Sequence, residues 1–214
     1  MKATEVDISP WNCDDDLIEA VRNHGRSAMR VHHWDRVEVV IGRGGKADVE
    51  LRLDQIRSDC VPVLRRRGGG CAVVLDPGNI IVSVVLPLPG VFGIKASFRR
   101  ISEWLIRGLA DAGVPGVSQR GASDLTLDDR KVGGACIFRS KGLLYYSTTL
   151  LAAPDVGLVD RYLKHPPREP DYRLGRTHSE FMGRLMPDSH STSVHDFARS
   201  LEKKLSIGSI ARII

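Results

Sequence analysis

Short apolar runs of strand length, many separated by tight-turn residues, alternate with stretches of helical periodicity in this 214-residue chain. That combination predicts an α+β fold: a mixed, mainly antiparallel sheet flanked by helices. The composition, 42% hydrophobic and 27% charged, suits one soluble domain over 1–214 with a sizeable core.

Taken in order, residues 14–23 open with Asp14, Asp15 and Asp16 and continue with Leu17, Ile18 and Val21. This is an amphipathic helix with favourable charge at its first turn. Strands follow at 28–33 and 37–41, joined by Trp34, Asp35 and Arg36. A short helix is expected over 53–59 and a strand over 62–65. Residues 71–75 and 80–86 read as a hairpin across Asp76-Pro77-Gly78-Asn79, a strong turn sequence. The clearest helix covers 97–112, with Phe98, Ile101, Leu105 and Leu109 spaced along one face and Gly113 ending it. Strands are expected at 116–119, 124–127, 131–139 and 143–151. The pair 124–127 and 131–139 is joined across Asp128-Asp129-Arg130. Helices at 156–163 and 194–205 enclose a Pro-rich loop over 165–171.

No run approaches the ~20 apolar residues of a membrane-spanning helix. Residues 1–7 contain no apolar h-region, so no secretory signal and a cytoplasmic location are expected. Cys13, Cys60, Cys71 and Cys136 show no CxxC pairing and read as reduced thiols. The formal net charge is +5, but the basic residues are scattered apart from Arg65, Arg66 and Arg67, and aromatics make up only 6%. A stacking surface for nucleic acid is therefore not expected. A small anion or an acidic protein is the better partner.

Residues 65–79 hold the most information. Arg65, Arg66 and Arg67 cannot lose their charge. Gly68, Gly69 and Gly70 free the backbone for positive φ and leave N–H groups bare. The result is either a cradle for an anion or a glycine-rich surface hairpin with solvated arginines. The second stretch is 123–135, where Lys131 follows a tight turn and Gly133 and Gly134 follow it. A lysine so placed can meet a phosphate or polarise a carbonyl; the alternative is a solvated hairpin lysine beside a bulge. Together, the two elements suit a ligand bearing both a carboxylate and phosphates. A third stretch, Gly42 to Ala47, matches G-x-G-x-x-A with Asp59 further on, but Asp59 precedes its strand, so a dinucleotide site is not expected. No Walker A sequence occurs.

These residues resemble the lipoate-protein ligase A family, within the biotin/lipoate ligase superfamily. The family's Arg-Arg-x-Ser-Gly-Gly-Gly-Ala-Val-x-His-Asp-x-Gly-Asn loop is similar to 65–79. Its Asn-Asp-Leu and Lys-x-x-Gly-Ser-Ala segments are similar to Ser123-Asp124-Leu125 and 131–136. Residues 30–34, 39–43, 160–163 and 172–181 add to the likeness, which spans about 14–185. The departures are Gly68 for the serine, Cys71 for the third glycine, Leu75 for the histidine and Ser123 for the asparagine.

The resemblance implies a class II synthetase/biotin-ligase-like catalytic domain. It implies activation of lipoate or octanoate with ATP and Mg2+ to an acyl-adenylate. The acyl group then passes to a lysine of an acceptor such as glycine-cleavage H protein or a 2-oxoacid dehydrogenase E2. By the same resemblance Arg66, Gly68, Gly69, Gly70 and Cys71 line the acyl and adenylate pocket, with Gly133 and Gly134 beside it. Asp76, Gly78 and Asn79 fall on the adenine side, Asp124 near phosphate and magnesium, and Lys131 at the acyl carbonyl. Apolar strand residues such as Val73 are expected to hold the fatty-acyl tail. Two-domain ligases carry a C-terminal accessory domain; 29 residues follow Leu185, so one helix and no such domain are expected, with a separate accessory subunit as an option. Two other readings stay open: an octanoyltransferase working through a thioester on Cys71 or Cys136, and a non-adenylating scaffold subunit.

Overall fold

The computed structural model describes residues 6–88, 93–186 and 192–211. Its largest element is a six-stranded antiparallel sheet in the order β2-β6-β10-β9-β8-β7. The strands are β2 (Ala28–His33), β6 (Asn79–Pro87), β7 (Ser118–Arg120), β8 (Asp124–Leu127), β9 (Arg130–Ser140) and β10 (Leu143–Leu151). A smaller four-stranded sheet, β1-β4-β3-β5, comprises β1 (Ile8–Pro10), β3 (Glu38–Ile41), β4 (Val63–Arg65) and β5 (Val73–Leu75). In it β1/β4 and β4/β3 are parallel and β3/β5 antiparallel.

The α+β class and the mainly antiparallel pairing are as expected, but there are two sheets rather than one. The connections 34–37 and 76–78 carry the chain from one to the other. The expected hairpin between 71–75 and 80–86 is therefore absent. Strand β6 has β10 along one edge and β2 along the other, leaving no edge for β5, which pairs with β3 instead.

β6 is buried on both faces, which explains its nearly unbroken apolar run. Ile80, Val82, Val84 and Leu86 pack with Ile101, Leu105 and Leu109 of α4 (Ile94–Asp111) and with Phe197 and Leu201 of α7 (Val194–Lys204). Ile81 and Val85 point the other way, into separate clusters. The small sheet packs its Val39, Ile41 and Val63 on Ile56 of α3 (Leu53–Ser58) and on Val159 and Tyr162 of α5 (Val156–Tyr162). α4 ends before Gly113, whose φ of +95° fits the predicted stop. Asp128 and Asp129 both take positive φ, the conformation of a two-residue hairpin turn. The end of the described chain holds two helices rather than one, α7 and α8 (Ile207–Ala211). Among the described residues no helix is long and apolar enough to cross a membrane.

Two features whose sequence pattern pointed toward ligands have structural partners. Asp59 accepts bonds from Arg161 Nη2 and Tyr162 Oη, both at 2.8 Å, tying α3 to α5. Asp76, Gly78 and Asn79 form a sealed turn: Asp76 accepts from the Gly78 and Asp155 N–H groups, and its own N–H donates to Asn79 Oδ1 at 3.0 Å. A Cβ on Gly78 would stand 1.9 Å from the Ala153 carbonyl oxygen.

Gly78→Ala should therefore lower unfolding free energy by about 1–3 kcal/mol in urea titration. Gly44→Ala, where an added methyl meets nothing within 4 Å, should stay within about 0.5 kcal/mol. The Arg161 guanidinium, then the Tyr162 hydroxyl, hold the Asp59 carboxyl down from 3.8 to about 2. This contribution to stability is present above about pH 4 and lost as the pH falls toward 2. An NMR titration should find the Asp59 midpoint near the lower value, and an ordinary midpoint would remove the assignment.

Candidate active site

Residues 66–72 link β4 to β5, the two neighbours of β3, and so arch over the end of that strand. The three arginines before the glycines act mainly as fasteners. Arg65 Nη1 donates to the carbonyls of Gly42, Arg43 and Gly45 at 3.1, 3.3 and 2.9 Å. Arg66 donates to the carbonyls of Val40, Gly69 and Cys71 at 3.1, 2.9 and 2.8 Å. Carbonyl partners hold these guanidinium groups without neutralising them. Arg67, in contrast, forms an ion pair with Asp15 at 2.8 Å and lies over the Phe138 ring.

The loop's glycines are needed for close approach. A Cβ on Gly42 would stand 2.0 Å from the Gly70 carbonyl oxygen, and one on Gly68 would stand 2.6 Å from Cys136 Sγ. Gly70 itself has φ +97°. The Gly42–Ala47 stretch, whose match to a dinucleotide pattern is accidental, thus backs the 66–72 loop without lining the cavity itself. It leads into α2 (Ala47–Glu50), a single turn too short for a dinucleotide-binding helix. Glu50, missed by sequence reasoning, is buried there and accepts from the Lys46 and Ala72 N–H groups, joining the two loops. Its sequence setting, with Asp48 and Arg52 two residues to either side, carries no local signal for burial.

On the large sheet, Lys131 lies across the start of β9. Its Nζ is 2.8 Å from Asp124 Oδ1 on β8, and Tyr172 Oη donates to Asp124 Oδ2 at 2.9 Å. Burial and the facing carboxylate push the Tyr172 hydroxyl well above its ordinary range, so it stays protonated. A Cβ on Gly134 would stand 3.0 Å from Lys131 Nζ: the bare backbone makes room for the lysine.

Both motifs open on one cavity of about 380 Å³. Arg66, Gly70 and Cys71 line one side, and Asp124, Lys131, Gly133 and Gly134 another. Val40, Val73, Leu75 and Ile81, from the two sheets, give it an apolar flank, together with Ile18, Phe138 and Tyr145. Arg168, Arg173, His178 and Phe181, from the segment after α5, form a further wall. Gly68 and Gly69 support the loop without lining the cavity, and Asp76, Gly78 and Asn79 are not brought to it. Such a chamber can hold a small molecule with an anionic head and an apolar tail.

Asp14, read from sequence as a helix-start charge, makes no capping bond. It is buried at the cavity wall, where Oδ2 accepts from Ser83 Oγ and Tyr145 Oη at 2.6 and 2.7 Å.

Residues 8–206 match the family described as lipoyl protein ligase A/B catalytic domain. The chain belongs to that family. The lipoate–protein ligase of Streptococcus pyogenes serotype M5 is 33% identical over 127 residues, 59% of this chain and 37% of the relative. The alignment to the first relatives therefore spans well under half of their length. Octanoyltransferase LipM of Carboxydothermus hydrogenoformans is 27% identical over 200 residues, 85% of this chain and 71% of the relative. Among solved structures, the bi-partite lipoate protein ligase of Thermoplasma acidophilum has TM-score 0.71 and 23% identity, covering 97% of this chain and 89% of its own. A lipoate-protein ligase A bound with ATP has TM-score 0.69 and 21% identity, covering 98% and 93%. These likenesses show that the α+β fold is the one found in solved lipoate-protein ligases.

Because the family includes both ligases and transferases, the cavity cysteines matter. Cys71 and Cys136 line it; Cys13 and Cys60 do not. Burial pushes the Cys136 thiol above its ordinary value, with nearby Arg66 opposing the shift. The thiolate is the nucleophilic form, so Cys136 is poorly disposed to attack. Under timed alkylation with iodoacetamide at mildly alkaline pH, exposed Cys60 should react before half-buried Cys136, as read by peptide mass spectrometry. Cys136 labelling as fast as Cys60 would contradict its burial.

Proposed function

We propose that this chain is a lipoate-protein ligase. It activates lipoate or octanoate with ATP to the acyl-adenylate and passes the acyl group to a lysine of an acceptor lipoyl domain. One observation carries this: the glycine loop and the Lys131–Asp124 pair open on the same cavity, beside an apolar flank of fatty-acyl character.

In this reading the fatty tail lies along Val73, Leu75 and Ile81, and its carboxylate meets Lys131. The backbone of Gly70 and Cys71, stiffened by Arg66, faces the acyl-phosphate group. Gly133 and Gly134 keep side chains away from it. As the acceptor amine attacks, charge grows on the carbonyl oxygen, and the Lys131 ammonium stabilises it. Asp124 keeps that ammonium in place. Its two oxygens each accept one bond, and among the described residues no group of three or more His, Cys, Asp or Glu gathers for a metal. Magnesium commonly uses one or two carboxylates beside phosphate oxygens; Asp124 fits as one such ligand of an ion that offsets phosphate charge. Asp76, Gly78 and Asn79 would then act by fixing the turn before β6 rather than by touching adenine. The acceptor would be a lipoyl domain of the H-protein or E2 kind, in the cytoplasm. A separate accessory subunit finds support in the bi-partite character of the Thermoplasma relative.

The LipM relatives favour a second reading, octanoyl transfer through a cysteine thioester, for which Cys71 is the better-placed thiol. Mass spectrometry of an acceptor domain incubated with lipoate, with and without ATP, separates the two. Ligation requires ATP, survives Cys71→Ser and Cys136→Ser, and falls about 100- to 1000-fold in Lys131→Ala. Full turnover by the folded Lys131→Ala protein would end the ligase mechanism.

A further inference from the structure

Eight described residues hold a buried side-chain nitrogen or oxygen without a hydrogen-bond partner, and Arg173 alone among them lines the cavity. Arg173 is 4% exposed. Its Nε donates to the Arg176 carbonyl at 2.9 Å, and its Cζ lies 4.8 Å from the centre of the Phe181 ring. Nη2 donates to nothing. The nearest acid, Glu169, is 3.5 Å from Nε and is engaged elsewhere: Oε1 accepts from the Gly175 N–H and Oε2 contacts His165 Nε2 at 2.9 Å. A guanidinium keeps its charge, so sealing it with an open donor is costly unless an anion completes it.

The other cavity cations are either met by a partner or open to water. Lys131 is met by Asp124, Arg67 by Asp15, Arg66 donates to three carbonyls, Lys164 donates to the Asp48 carbonyl, and Arg168 is exposed, so water can complete its donors. The backbone around Arg173 is also built for inward aim. Asp171–Arg173 is a 3-10 turn, and the next two residues, Leu174 and Gly175, both take left-handed φ, +54° and +71°. A leucine held there is strained, and such strain concentrates at ligand clamps. Leu174 points out, 81% exposed, while Arg173 points in. The preceding residue, Tyr172, is the one that bonds Asp124, which places Arg173 next to the lysine pair along the chain.

We propose that Arg173 Nη2 binds an anionic oxygen of the bound substrate, making the 169–175 turn a second anion clamp beside Lys131. This rests on the ligase reading. The oxygen belongs either to a phosphoryl group of the nucleotide or to the fatty-acid carboxylate.

Calorimetric titration of the full chain with ATP and, separately, with lipoate distinguishes these sources. In Arg173→Met, affinity should fall about 10- to 100-fold, the loss expected for a hydrogen bond to a charged group. Loss confined to ATP assigns a phosphoryl oxygen; loss confined to lipoate assigns the carboxylate. Arg173→Lys, which keeps the charge, should lose less. Wild-type affinity for both ligands in a folded Arg173→Met protein overturns the clamp and leaves the ligase reading standing. A wild-type chain that binds neither ligand overturns both. Should the variants fail to fold, the wild-type Arg173 Nε–Hε resonance, assigned by through-bond correlation, decides. A shift on saturation with either ligand supports the clamp, and no shift with both removes it.

Discussion

Between the end of β3 and the middle of β9 there is room for main chain and nothing more. Gly42 meets the Gly70 carbonyl on one side of the 66–72 loop, and Gly68 lies on Cys136 on the other. A methyl at either glycine would press well inside ordinary contact distance of its neighbour. The loop is thus clamped between the two sheets by the absence of side chains. Arg66 then fixes its curvature by reaching three carbonyls at once. Sheet spacing, cavity shape and the approach of the loop to the lysine strand all follow from that closeness.

The same packing governs the electrostatics. Because Arg65 and Arg66 bond to carbonyls, the loop is fastened and still electropositive, a state that attracts anions. Lys131 is different: its charge is balanced by Asp124, which Tyr172 in turn steadies. An ammonium held this way is fixed in position at the cavity wall before any ligand arrives. Cys136 sits close by, yet burial keeps it neutral despite Arg66. The half-buried thiol packs under Gly68, whereas the lysine ammonium stands at the cavity wall against Asp124.

Where the sequence was readable, the signal was local. The Asp128-Asp129 turn specifies the β8–β9 hairpin by its positive φ values, and the apolar period of α4 specifies its buried face. The glycine loop and Lys131 were recognisable because their residue types suit few other purposes side by side. What stayed hidden was non-local. An apolar strand such as β6 does not announce which strands flank it, so an Asp-Pro-Gly-Asn turn looked like a hairpin when it is a passage between sheets. Nothing beside Glu50 or Asp14 in the sequence marks them for burial, and only the folded chain supplies the N–H and hydroxyl donors that justify it. Arg173 is hidden for the same reason: its open donor is a property of its neighbours.

The passage between sheets is also what creates a chamber. In a single sheet, residues 73–75 and 79–87 would lie side by side and their apolar faces would close against one helix layer. With β5 drawn to β3 and β6 held between β2 and β10, the odd face of β6 looks across a gap toward β5. Ile81, Leu75 and Val73 line that gap without filling it. The turn between β5 and β6 has to hold this separation, and it does so with Asp76 and Asn79 bonded inward and Gly78 pressed on Ala153. A turn that does not line the cavity thereby sets how far β5 and the odd face of β6 stand apart along its apolar flank.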